Sequence, residues 1–188
     1  QKRRTLKTGV YTLGCEAAEI LDAYQGKSAD ETSEMWLVSG DDKEDLKRLE
    51  EHLRQGKHAL WLLPKRQEAL SLLDQKIQIK SCGELFFAAA DGAYGSYPLG
   101  MLYNAKKDYI DATADHTIQT EFSGETLIYT YDKSGFQGSK GAKPHRAFVK
   151  KCSAEGGTLI LCSLAREGRV GYNIGLDELL LDLLEQEG

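Results

Sequence analysis

The sequence predicts a single α/β domain with a mostly parallel central sheet of about five to seven strands, helices on both faces and an antiparallel hairpin. Three observations carry this. The first two-fifths of the 188-residue chain alternates short apolar runs with amphipathic stretches, in the order β-α-β-α-β-α. Near the end, Gly156-Gly157 leads into Thr158-Leu159-Ile160-Leu161-Cys162-Ser163-Leu164, a continuous apolar run of the kind buried on both faces of a sheet. Then Leu176, Leu179, Leu180, Leu183 and Leu184 recur at i, i+3, i+4, i+7 and i+8, the stripe of a covering helix.

In chain order, Thr8 to Gly14 reads as an opening strand. Ala17, Ile20, Leu21 and Tyr24 take helical spacing, and Gly26 is positioned to end that helix. Met35-Trp36-Leu37-Val38 is a second short strand. Gly40-Asp41-Asp42 supplies a helix start with acidic groups at the positive end of the dipole, and Leu46, Leu49 and Leu53 form the apolar stripe. Ala59 to Leu63 is the third strand, stopped by Pro64. A short helix is expected from about Arg66 to Leu73, and a strand over Glu84 to Ala90. His116 to Phe122 and Thr126 to Tyr131 alternate around Ser123-Gly124-Glu125, which predicts a hairpin. Gly135 to Lys143 reads as a surface loop, and Ala147-Phe148-Val149 as a segment packed on the sheet before the last strand.

Composition is that of an ordinary globular domain, with 41% hydrophobic and 28% charged residues. The net charge of -5 and the shortness of the basic clusters Lys2-Arg3-Arg4 and Lys150-Lys151 argue against a nucleic-acid partner. No apolar run is long enough to cross a bilayer, and no apolar signal core follows the N-terminus, so a soluble chain with no membrane partner is expected. Opening at Gln1 without an initiator Met predicts a processed chain or a domain excised from a longer protein.

Candidate chemistry is sparse. Cys15, Cys82, Cys152 and Cys162 form no C-x-x-C pair, so zinc spacing is absent and free thiols are expected; neither a metal site nor a cofactor is predicted. Cys82, beside Gly83, and Cys15, directly before the first helix, are the thiols a helix N-terminus could activate, against the plainer reading of half-buried cysteines. Retaining glycosidases need two carboxyls about 5–5.5 Å apart, but Asp108 and Asp111, like Asp41-Asp42 and Glu50-Glu51, read as solvated carboxylates. Gly92, Gly95 and Gly100 are not followed by Gly-Lys-Ser/Thr, so no phosphate loop is present. The binding candidates are Tyr94, Tyr97, Tyr103 and Tyr109, aromatic faces with polar ends that suit a sugar or a protein partner.

Three segments carry a family resemblance: Asp45-Leu46 through Gly56-Lys57-His58-Ala59-Leu60-Trp61-Leu62, Leu102 through Asp111, and the terminal Gly156 to Leu164 strand with its leucine helix. The chain resembles the class I glutamine amidotransferase-like fold, a flavodoxin-like three-layer sandwich. Within it, the chain is similar to the non-catalytic version attached to large bacterial glycoside hydrolases of the family 2, β-galactosidase type. Catalytic members hold a cysteine in a Gly-x-Cys-x-Gly elbow and a His-x-Glu pair. Here no cysteine is so flanked, Leu62-Leu63-Pro64-Lys65-Arg66 follows the third strand, and His52, His58, His116 and His145 are followed two residues on by Arg, Leu, Ile and Ala. A nucleophile without a base is not activated. The resemblance therefore implies an accessory domain of a carbohydrate-active enzyme, with no catalytic residues of its own. Its expected partners are other domains of the parent or a second copy of it, with carbohydrate as a further ligand class. The alternatives are a divergent cysteine hydrolase and a carbohydrate-binding module.

Overall fold

The structure is a computed structural model that describes residues 4–24, 29–66, 68–81, 89–90, 94, 116–130, 146–164 and 174–187. Its elements are β1 (Val10–Leu13), α1 (Cys15–Ala23), β2 (Met35–Ser39), α2 (Lys43–Arg54), β3 (His58–Leu62), β4 (Leu70–Leu72), β5 (Gln75–Ser81), β6 (Ala89–Ala90), β7 (His116–Thr120), β8 (Gly124–Thr130), β9 (Arg146–Ala154), β10 (Gly157–Cys162) and α3 (Ile174–Gln186). All ten strands belong to one sheet, ordered β1-β2-β3-β10-β9-β7-β5-β4, with β8 on β9 and β6 on β8.

The sheet is mixed, which overturns the mostly parallel, flavodoxin-like sandwich. Only the run β1-β2-β3-β10 is parallel. From β9 onward every pairing is antiparallel, and three helices are set against ten strands among the described residues. The cause lies in segments whose period is 2 rather than 3.6. Leu70 and Leu72 are buried with Ser71 exposed between them. They lead through Leu73 and Asp74, at φ 50° and 60°, into Ile77 and Ile79, also buried. Two consecutive positive φ values make a tight hairpin turn, so β4 and β5 replace the helix expected over 66–73. Of the expected strand 84–90, Ala89–Ala90 form β6; residues 82–88 and the expected loop 135–143 lie outside the described residues.

The hairpin expected over 116–131 does not form either. The strands exist, but β7 and β8 do not pair with each other. Both pair with β9, where Ala147 has Ile118 of β7 and Tyr129 of β8 as partners. Phe122, between the two strands, is 1% exposed. Burying that ring draws the connection into the core, a gain of about 1.5–3 kcal/mol that a tight surface turn would forgo. The segment around Phe148, expected to pack on the sheet, is itself a strand of it.

Alternation along the parallel strands divides the core in two. Met35, Leu37, Leu60, Leu62, Ile160 and Cys162 share one cluster with Ile20 of α1 and Leu176, Leu180 and Leu184 of α3. Trp36, Val38, Trp61, Leu159 and Leu161 share the other with Leu49 and Leu53 of α2. Glycine permits a close approach between α2 and β10. A Cβ on Gly157 would lie 2.4 Å from the Lys57 carbonyl oxygen and 2.7 Å from that of Leu53. The bare backbone there lets β10 enter beneath the C-terminal end of α2, and Thr158 N–H donates to the Lys57 carbonyl at 3.1 Å.

Candidate functional site

Helix α2 begins where Asp42 accepts hydrogen bonds from the backbone N–H groups of Glu44 and Asp45, at 3.0 and 3.1 Å. Its apolar stripe lies on the sheet, which leaves Arg48, His52 and Gln55, at i, i+4 and i+7, along one flank. Alternation in β2 turns Trp36 toward the same flank, because Met35 and Leu37 face α1 and α3. The result is a polar cleft of about 270 Å³ floored by Trp36 and His52, with Arg48, Glu51 and Gln55 from α2 and Glu31, Thr32 and Lys57 closing its sides.

The floor is an aromatic stack. The Trp36 and His52 rings lie 4.0 Å apart at 21°, and Tyr11 meets Trp36 at 4.9 Å and 57°. The Arg48 guanidinium sits 5.5 Å from the Tyr11 ring centroid and donates to both the Tyr11 hydroxyl and, at 2.6 Å, Glu31. Lys57 Nζ donates to the Thr32 carbonyl at 2.9 Å. His52 is 2% exposed, and its Nε2 lies 2.8 Å from the His58 carbonyl oxygen, a contact only a ring N–H can make favourable. Nε2 therefore carries the proton and Nδ1 is left as an acceptor. Burial pulls the His52 pKa below its ordinary value, against the opposing pull of that carbonyl. A neutral imidazole stacked on an indole is suited to binding; the cleft lining holds no thiol to act as a nucleophile.

None of these residues was singled out from the sequence as a site. A signal was there: a histidine and an arginine four apart, beside the apolar stripe of an amphipathic helix. What could not be read was that Trp36, twelve residues before Arg48, would turn to face them.

The residues that were singled out lie elsewhere. Tyr94 is 3% exposed, so its ring is part of the core, and its hydroxyl donates to Glu187 at 3.1 Å. Burial, then the Glu187 charge, raises the pKa of that hydroxyl well above the phenolic range. Tyr97, Tyr103, Tyr109, Cys82, Asp108 and Asp111 lie outside the described residues. Cys15 is exposed at the start of α1, whereas Cys152 and Cys162 are buried; all three are free thiols. Burial pushes the Cys152 thiol up to about 11 and the Cys162 thiol up to about 12, the opposite of nucleophile activation. Of the acidic pairs at and on α2, Asp42 caps the helix, Asp41 pairs with Arg66 and Glu50 accepts from Leu73 N–H at 2.8 Å, while Glu51 is exposed. Among the described residues no group of three or more His, Cys, Asp or Glu could hold a metal ion, and no helix is long and apolar enough to cross a membrane.

The fold itself is found in solved structures of β-galactosidases. The chain matches the β-galactosidase of Bacillus circulans sp. alkalophilus with a TM-score of 0.50 at 10% identity, over 96% of this chain and 31% of that one. It matches the cold-adapted β-galactosidase of Rahnella sp. R3 at 0.50 and 9% identity, over 97% and 32%. A catalytic mutant of the GH42 β-galactosidase from G. stearothermophilus matches at 0.54 and 8% identity, over 97% and 30%. The chain thus spans about a third of the length of these proteins. At such identity the likeness is one of fold, related to glycoside hydrolases, and the enzyme whose printed name gives a family is of family 42 where family 2 was expected. No protein-family model and no curated protein sequence matches the chain.

Proposed function

We propose that this chain is a non-catalytic accessory domain of a larger carbohydrate-active protein, serving to position or assemble a catalytic unit outside residues 1–188. The observation that carries this reading is the asymmetry of coverage: nearly all of this chain, 96–97%, lies on only 30–32% of each β-galactosidase it resembles. A segment with that relation to its neighbours is a module, and the chemistry named in their titles need not reside in it. The site chemistry points the same way. The described thiols are either buried and protonated or, for Cys15, placed without a histidine partner in any described hydrogen bond. Cys82, the other candidate nucleophile of the cysteine-hydrolase alternative, lies outside the described residues.

Two measurements test the reading. Antibody raised against the chain, used on its native source, should detect a protein about three times as long as these 188 residues. The isolated chain should not hydrolyse a panel of nitrophenyl glycosides. A native product of 188 residues, or glycoside turnover by the chain alone, would overturn it.

A further inference from the structure

The His52 ring has nowhere to put a second proton. It stacks on Trp36, and its Nε2 lies 2.8 Å from the His58 carbonyl oxygen. That contact fixes the first proton on Nε2, so a second one can only go to Nδ1. Nδ1 is closed off from solvent and has no hydrogen-bond partner among the described residues. In the neutral ring it is an unused acceptor. In an imidazolium it would be a buried N–H with nothing to receive it and no water to solvate the charge.

The charged and titratable groups around the ring are Arg48 and Glu51 of α2, Glu31 and Glu34 ahead of β2, Tyr11 of β1 on Trp36, and Lys57 and His58 at the start of β3. Arg48 is committed to Glu31 and to the Tyr11 hydroxyl. Burial is the largest influence on the ring and disfavours its charged form; Lys57 adds to it, while the His58 carbonyl and Glu34 pull the other way. The ring also sits where a small motion can free it. His52 belongs to the last turn of α2, beyond which the chain leaves through Gln55 and through Gly56 at φ 80°. That turn is closed by the N–H groups of Gln55, Gly56 and Lys57, which donate to the carbonyls of Glu51, Leu53 and His52. We propose that His52 is a proton-operated latch: it holds the last turn of α2 against β2 and β3 as a neutral ring and takes up its second proton only by leaving the Trp36 stack, so that mild acid opens this corner of the domain ahead of the rest of the fold. The device goes beyond the accessory role and does not depend on it.

The test is nuclear magnetic resonance of the ¹⁵N-labelled chain between pH 8 and pH 6. Ring-nitrogen shifts report the protonation of each histidine, and the Trp36 indole signal, told apart from that of Trp61 by Trp36→Phe, reports the stack. Trp61 is the reference, since its Nε1–H donates to the Gly40 carbonyl at 2.8 Å. Amide exchange, corrected for its intrinsic pH dependence, reports the opening. An open form that binds its proton at the ordinary histidine value of about 6.5 becomes about fourfold more populated across this range. The expected result is therefore a loss of protection of about fourfold at the amides of Gln55, Gly56 and Lys57. The amide of Leu63, which donates to Cys162 on β10, should keep its protection, and the Trp36 signal should move while Trp61 stays. His52→Gln, which carries no charge at either pH, should abolish the loss, and His58→Gln should preserve it. Protonation of His52 with the Trp36 signal unmoved would overturn the proposal. So would unchanged protection of the last turn, an equal loss at Leu63, or the same loss in His52→Gln.

Discussion

His52 stacks on Trp36 with ring centroids 4.0 Å apart and planes 21° from parallel, joining the flank of α2 to the face of β2. The imidazole is 2% exposed and donates from Nε2 to the His58 carbonyl. One buried, neutral histidine thus ties the helix to the strand on one side and to the start of β3 on the other.

That arrangement has a pH signature. The folded-state pKa of His52 is lowered, chiefly by burial, so the unfolded chain binds its proton first as pH falls. Its contribution to stability is complete above the ordinary histidine value of about 6.5 and is lost as pH falls through the lowered folded-state pKa. Chemical denaturation from pH 8 down to pH 5 should show this loss. His52→Gln should be less stable at pH 8 yet flatter across the window. Parallel profiles for the two proteins would remove His52 from the account.

The N-terminal segment is fastened by charge. Arg4 pairs with Glu178, Asp182 and Glu185 of α3, and Glu185 also accepts from Lys7 N–H at 3.1 Å. Arg4→Ala leaves three carboxylates on one helix face without their common cation. The expected cost is about 1–2 kcal/mol, more than an isolated surface pair because three partners share one guanidinium. For a chain of this size that is a fall in Tm of about 3–6 °C, and it should shrink at high salt. A variant as stable as wild type at low salt would show the cluster to be inert.

Gly157 admits no side chain. The Cβ of Gly157→Ala would sit 2.4 Å from the Lys57 carbonyl oxygen, and backbone rather than a flexible side chain would have to move. Overpacking of this kind costs about 1–3 kcal/mol, read as a lower midpoint in urea. Gly40→Ala is the control: a Cβ there meets nothing within 4 Å, but its φ of 78° still disfavours alanine. Gly157 is not among the glycines with positive φ, so its loss reads the close approach, whereas Gly40→Ala reads backbone strain without a contact. A Gly157→Ala variant as stable as the wild type would dismiss the contact.

Thiol labelling should follow burial. In a Cys82→Ser background at pH 8, Cys15 should react at the rate of an exposed thiol, while Cys152 and Cys162 stay unlabelled until the protein unfolds. The raised pKa values of the two buried thiols, about 11 and about 12, deny them thiolate as well as access. Fast native-state labelling of either would mean that β9 or β10 opens locally.

What the sequence by itself determined was local. Apolar runs bounded by glycine specified β2, β3 and β10, and leucines at helical spacing specified α2 and α3, because burial of a run or a stripe is written in adjacent residues. It left undecided which strand would lie beside which. The antiparallel half of the sheet follows from β9, whose Ala147 is flanked by Ile118 and Tyr129 from strands that were expected to pair with each other. Strand pairing is settled by contacts between residues far apart in the chain, and here the burial of Phe122 outweighed the short connection that favoured a hairpin. Leu70 and Leu72 escape a local reading for a related reason, since two leucines spaced by one residue fit a strand only once β5 lies opposite, with Ile77 across from Leu70 and Gln75 across from Leu72. The cleft was beyond reach on the same grounds. Arg48, His52 and Gln55 share a helix flank in any reading, but only the tertiary structure sets Trp36 beneath them and brings Glu31 and Lys57 to its sides.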